Sequence, residues 1–179
     1  MAIAPEVRAF LQEKGASYEI IQHRLAFTAS EEAAAAHVRG AGWAKTVVFH
    51  TAEGEPILAV LPATYQVDVA RLAQLAGTSS VRLAAEEELA GLYPHCERGA
   101  MAPIGSLYGQ RTFADEHLAS VGEIVFNAGD HVEAVRMLWE DYQRLAAPAM
   151  GVFGRRGNGQ PSARTPRSPR LHESGGGWH

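Results

Sequence analysis

The sequence predicts a single mixed α/β domain, and three observations carry that reading. Two β-rich runs, Ala44 to His50 and Pro56 to Leu61, flank the segment Thr51 to Glu55, whose length and glycine suit a hairpin at the centre of a sheet. Segments of helical period, several opened by capping residues or closed by glycine, stand on both sides of that hairpin. The composition, 46 % apolar and 20 % charged over 179 residues, is that of a globular chain with enough length for one sizeable core.

Taken in order, Pro5 to Lys14 places Val7, Phe10 and Leu11 at helical spacing and stops at Gly15, which predicts a short amphipathic helix. Tyr18 to His23 reads as a strand. Thr28-Ala-Ser-Glu31 has the form of a capping box, in which the Thr hydroxyl and the Glu carboxylate satisfy free backbone N–H groups, so the alanine-rich run to Val38 is predicted as that helix. After the hairpin, Asp68 caps a helix running to Ala76 and ended by Gly77, Val81 to Leu83 forms a short strand, and Ala85 to Leu92 forms another helix. Pro94 to Gly109 has no sustained period and is rich in glycine and proline, which marks a structured loop between core elements. Arg111 to Ala114 and Glu123 to Phe126 follow as strands, Asn127-Ala-Gly129 as a turn, and Asp130 as the start of a helix with Val135, Leu138, Tyr142 and Leu145 on one face.

The domain is predicted to span residues 1–153. Residues 154–179 are mainly Gly, Pro, Ser and Arg and cannot offset the entropy of being ordered, so a disordered tail is expected. Charge divides at almost the same place: residues 1–154 carry 11 Lys/Arg and 19 Asp/Glu, whereas 155–179 carry 5 Arg and 1 Glu. An acidic domain argues against a broad phosphate-gripping surface, so any RNA contact is expected to be local, at an RNA end. The tail has two readings, an electrostatic hold on RNA or a solvated extension. No apolar run reaches the roughly 18 residues of a membrane helix and the N-terminus lacks a signal-like pattern, so a cytosolic protein without membrane contact is expected. The single Cys96 fits a reducing compartment.

Three local features suggest chemistry. Lys45 opens an apolar strand, where its ammonium either binds a phosphate or carboxylate in a cleft or ends in solvent or a salt bridge. The loop Gly99-Ala-Met-Ala-Pro103-Ile-Gly105 has glycines that let backbone N–H groups approach a ligand and a proline that stiffens the frame. It suits recognition of a carbonyl or oxyanion, or else a tight connection between strands. His131, placed in the first turn of the predicted helix, is either a proton carrier or a capping side chain. No nucleophile elbow, zinc-protease helix or phosphate-binding loop is present, and His95-Cys96 has no second cluster at metal-ligand spacing.

Together, Ala44-Lys-Thr-Val-Val48, Cys96-Glu-Arg-Gly-Ala-Met-Ala-Pro-Ile-Gly105 with Leu107-Tyr-Gly109, and Phe126-Asn-Ala-Gly-Asp-His131 resemble the YbaK/prolyl-tRNA synthetase-associated deacylase family over about residues 4–148. The resemblance implies a mixed α/β fold with a curved, barrel-like sheet flanked by helices. It implies hydrolysis of the ester joining an amino acid to a tRNA 3′ end, with no metal and no organic cofactor. Lys45 matches the family lysine, expected to engage the terminal adenosine region or orient the ester. Gly99, Pro103 and Gly105 match its catalytic loop, with Ala100, Met101 and Ala102 as substrate-contacting residues. Gly129 and His131 match its A-G-x-H turn, as groups that shape the site. The implied mechanism is substrate-assisted, with loop backbone groups at the aminoacyl carbonyl and a ribose hydroxyl positioning or activating water. Many relatives have proline where Ala102 stands and other residues at Arg98, which bears on pocket shape. The expected substrate is a mischarged tRNA bearing a small amino acid such as alanine, serine or cysteine. A synthetase or elongation factor is the expected delivering partner. Two alternatives remain: a non-catalytic module that holds an aminoacyl-tRNA end or a synthetase, and a general small-ester hydrolase.

Overall fold

The structure, a computed structural model, describes residues 3–22 and 42–157. The predicted helix from Thr28 to Val38 lies outside the described residues. The N-terminal helix α1 (Pro5–Glu13) starts with proline, whose missing N–H costs nothing in a first turn, and buries Val7 and Leu11. Strand β1 (Glu19–Gln22) follows. The hairpin forms as expected from β2 (Ala44–Thr51) and β3 (Pro56–Pro62), antiparallel from Ala44 opposite Pro62 to His50 opposite Pro56. Gly54 supplies the left-handed φ of 84° in its turn.

After β4 (Tyr65–Val67), Asp68 accepts a hydrogen bond from the Arg71 N–H at 3.2 Å and caps α2 (Val69–Ala76), and Gly77 closes the helix at φ 72°. Strand β5 (Val81–Leu83) and helix α3 (Glu86–Leu92) follow. Next come β6 (Arg111–Asp115), a 3-10 segment (Glu116–Val121) and β7 (Glu123–Asn127). The chain continues through β8 (Glu133–Leu138), α4 (Trp139–Ala146), β9 (Ala149–Gly151) and β10 (Gly154–Arg156). The central sheet runs β5-β2-β3-β6-β9, a second runs β1-β8-β7, and β10 pairs with β4 as a ribbon. A parallel bridge between Trp43 and Val125 joins the two larger sheets at the start of β2. The sheet is mixed, since β6 runs parallel to β3 and β9, and no closed barrel forms among the described residues.

Two differences from the sequence reading stand out. Asp130 does not start a helix: Glu133–Leu138 is a strand between β1 and β7, and the helix begins only at Trp139. The segment EAVRML has good helix formers, but helix propensity is a weak prior. A strand there buries Ala134, Val135 and Met137 and lets Arg136 pair with Glu123 at 2.6 Å across the strands. Ordered structure also runs past Phe153, because Gly154–Arg156 pairs with β4.

The main core lies between β2, β7 and β8 on one side and α1, α4 and the 100–104 loop on the other; Val7, Leu11, Ala102, Ile104, Phe126, Val135 and Tyr142 meet there. A second core on the opposite face of the central sheet packs Phe49, Ala59 and Phe113 against Leu72 and Ala76 of α2. Among the described residues no helix is long and apolar enough to cross a membrane.

Candidate functional site

Strand alternation sorts the residues of β2 between two faces. Ala44 joins the core that holds Ala102 and Ile104, and Val48 packs in the cluster that holds Met101. Lys45 therefore turns to the other face, with Val47 and Phe49. On β7, Ile124 and Phe126 join the loop-side core while Val125 packs with Trp43, so Asn127 shares the face of Val125. Trp43 and Val125 form an isolated parallel bridge between the sheets, and Lys45 and Asn127 each stand two residues beyond it along their own strands.

The chain then turns sharply. Gly129 has φ 128°, and a Cβ there would lie 2.8 Å from the Ala4 backbone nitrogen, so only glycine fits. Asp130 Oδ1 accepts from the N–H groups of Val132 at 3.0 Å and Glu133 at 2.8 Å and closes the turn into β8. His131 sits in this turn between strands and not in a helix. Its Nε2 contacts the Arg98 carbonyl at 2.7 Å and its Nδ1 contacts Asn127 Nδ2 at 3.4 Å. A carbonyl only accepts, so Nε2 carries a proton and donates it to Arg98, while Nδ1 meets the Asn127 side-chain amide.

That ring lies against Gly99, where a Cβ would be 3.9 Å from His131 Cε1. Two backbone bonds and one to a side chain sew the start of the loop to the same turn: Glu97 N–H donates to the Gly129 carbonyl at 2.8 Å, Gly129 N–H to the Ala100 carbonyl at 2.8 Å, and the His131 N–H to the Glu97 side-chain Oε2 at 3.1 Å. Asn127, His131 and the Arg98–Gly99 backbone thus form one corner, and Lys45 stands on β2, which the Trp43–Val125 bridge joins to β7.

The sequence-predicted loop residues divide by burial. Gly99 is exposed, whereas Ala100, Met101, Ala102, Pro103 and Gly105 are buried. Met101 packs beside Val48, Leu58 and Tyr93, and Ala102 lies in the main core. The Pro103 carbonyl accepts from the Tyr142 hydroxyl at 2.8 Å, and Gly105 N–H donates to Thr112 Oγ1 at 2.8 Å. A Cβ at Gly105 would collide with the Gln110 carbonyl and Thr112 Oγ1. The buried part of the loop is a frame that holds Gly99 in place.

Burial lowers the Lys45 ammonium below its ordinary pKa, and no carboxylate pairs with it among the described residues. Burial pushes the Cys96 thiol up, which disfavours its thiolate form. No group of three or more His, Cys, Asp or Glu is placed to hold a metal among the described residues. Asn127 opens the sequence segment Asn127-Ala-Gly-Asp-His131 but carries no role of its own in the sequence reading. Its signal is a polar side chain ending the apolar run Ile124-Val-Phe126 just before a glycine turn.

Fold and site together define an α/β domain with a partly desolvated lysine on β2 and an imidazole fixed against exposed loop backbone at the turn into β8. A model of the aminoacyl-tRNA editing domain matches residues 23–145, and the chain belongs to that family. No curated protein sequence matches it. Among solved structures, one described as a "putative trans-editing enzyme for prolyl tRNA synthetase" is 21 % identical, with TM-score 0.75 over 85 % of this chain and 96 % of that one. The hypothetical protein APE2540 is 18 % identical, with TM-score 0.75 over 84 % of this chain and 99 % of that one. A scaffold from computational epitope grafting is 20 % identical, with TM-score 0.74 over 85 % of this chain and 96 % of that one. At these identities the likeness is one of fold.

Proposed function

We propose that this chain is a free-standing aminoacyl-tRNA deacylase that hydrolyses the ester of a mischarged tRNA carrying a small amino acid such as alanine, serine or cysteine. Family membership supplies the class of reaction. The observation that supports the reading in this chain is a half-buried lysine free of carboxylate partners among the described residues, on a strand bridged to β7, at whose end Asn127 meets the His131 ring that lies against Gly99. A cation there attracts the phosphate or the carbonyl oxygen of an aminoacylated RNA end, and desolvation strengthens that attraction.

Water adds to the ester carbonyl carbon, the bond to the ribose oxygen breaks, and the proton passes to that oxygen, giving free amino acid and uncharged tRNA. An aminoacyl ester is already activated, so an oriented neighbouring ribose hydroxyl, positioned water and preorganised charge supply the several kcal/mol required without a covalent nucleophile. In this mechanism no metal or cofactor takes part. Lys45 orients the reacting end, the Gly99 backbone faces the carbonyl, and Pro103 and Gly105 hold the loop. His131 is a positioning residue, because its proton is committed to the Arg98 carbonyl. The reaction belongs to the cytosol, where a synthetase or elongation factor delivers the charged tRNA.

Incubation with a panel of mischarged tRNAs and measurement of the amino acid released tests the reading. Release from one or more tRNAs bearing small amino acids is expected. Binding of charged tRNA without turnover across the panel would replace the enzyme with a binding module, and hydrolysis of simple esters independent of the RNA would replace it with a general esterase.

A further inference from the structure

Five arginines of the folded part are matched by carboxylates: Arg82 with Glu88, Arg98 with Glu86, Arg111 with Glu55, Arg136 with Glu123 and Arg144 with Asp141. Arg8 and Arg71 stand singly without a carboxylate partner among the described residues, whereas Arg155 and Arg156 on β10 are adjacent, exposed and likewise without one. The carboxylate closest to them in the hydrogen-bond network, Asp115, is fully buried and already committed. It accepts from the N–H groups of Phe153 at 2.8 Å and Gly154 at 2.5 Å, and from His117 Nδ1 at 2.5 Å. Asp115 therefore pins β10 to the fold and leaves the two guanidinium charges uncompensated.

Two aromatic rings accompany them. Tyr65 lies with its ring centroid 4.8 Å from that of the exposed His117, and Arg156 Nε–H donates to the Tyr65 hydroxyl at 3.5 Å. The position matters as much as the charge. Gly157 N–H donates to the Thr64 carbonyl at 3.5 Å, and Ala63 N–H donates to the Trp43 carbonyl at 2.8 Å, two residues before Lys45. The ribbon is thus joined through Thr64, Ala63 and Trp43 to the strand that carries Lys45. In sequence the chain continues from β10 with Arg164, Arg167 and Arg170 against a single acidic residue, Glu173.

We infer that the β4–β10 ribbon is a phosphate-contacting surface for RNA, with Arg155 and Arg156 holding the sugar–phosphate backbone of the acceptor strand while its 3′ end occupies the proposed site at Lys45 and the Asn127–His131 turn. This rests on the proposed deacylase reading. It gives an acidic domain a local grip on a polyanion where two adjacent arginines are not cancelled by its own carboxylates, and rings beside the cations suit the unpaired bases of a single-stranded end.

The test uses the full chain and the double variant Arg155→Glu/Arg156→Glu, with Arg155→Ala/Arg156→Ala as the milder form and thermal melting to confirm folding. Three quantities are read: affinity for uncharged tRNA by fluorescence anisotropy over a salt series, kcat/KM on mischarged tRNA, and kcat/KM on an aminoacylated adenosine without phosphates. The expected result is a loss of about tenfold or more in tRNA affinity and in kcat/KM on mischarged tRNA, with a log–log salt slope shallower by about two. Hydrolysis of the aminoacylated adenosine stays unchanged. Unaltered tRNA binding and salt slope in folded variants would overturn the inference, as would an equal loss on both substrates. If the wild type hydrolyses neither substrate, the deacylase reading fails, and the anisotropy series still decides whether the ribbon binds RNA.

Discussion

Lys45 keeps a charge in a place that disfavours it, and the sign of that cost can be measured. Burial lowers its pKa in the folded state, so between that lowered value and the ordinary lysine value of 10.5 the unfolded chain binds more protons than the folded one. Stability contributed by this group therefore rises with pH across that window, and below it the penalty is full. Lys45→Met should be more stable than the wild type at pH 7 and should lose part of the gain toward pH 10; urea denaturation at both pH values reads the difference. A variant less stable at pH 7 would mean that the ammonium has a favourable partner. His131 offers a second test at this scale. If it staples the loop through the Arg98 carbonyl, His131→Gln keeps an amide donor and stays within about tenfold of wild-type kcat/KM, while His131→Ala falls further. If it were a proton carrier, both variants would lose the factor of about 10² to 10⁴ that general acid–base catalysis supplies.

The loop from Gly99 to Gly105 is held by contacts made at a distance in sequence, and each can be cut. Tyr142→Phe removes the buried hydroxyl bonded to the Pro103 carbonyl and should cost about 1–3 kcal/mol in equilibrium denaturation, the range for an orphaned buried acceptor. Gly105→Ala forces a methyl against the Gln110 carbonyl and Thr112 Oγ1 and should cost about 1–3 kcal/mol or more, with a loss of deacylation because Gly99 is displaced. The hairpin around Gly54 and the helix between Asp68 and Gly77 were legible because their signals are local. Strand β8 was not: Val135 and Leu138 satisfy a helical spacing as well as they satisfy a strand, and only β1 and β7 on either side decide between them. The three-residue strands Tyr65–Val67, Ala149–Gly151 and Gly154–Arg156 are too short to show a period and exist because a neighbour offers hydrogen bonds.

For the whole molecule, the sequence motifs brought Lys45, Gly99 and His131 into view but not their geometry. Strand alternation puts Lys45 on the face opposite the buried loop residues Ala102 and Met101, and the connection between the two motifs runs through Asn127 and His131, a relation that depends on the Trp43–Val125 bridge. A register set between residues 82 positions apart leaves no trace in a local pattern. The charge division was legible, and the fold adds where the basic end leaves the sheet. The central claim is that this site hydrolyses aminoacyl esters on RNA. Single-turnover release of amino acid from mischarged tRNA by the wild type and by Lys45→Ala tests it most directly. The account predicts release by the wild type and a rate lower by about a hundredfold in the folded variant, the usual cost of losing one preorganised charge; no release by the wild type, or equal rates for the two proteins, would contradict it.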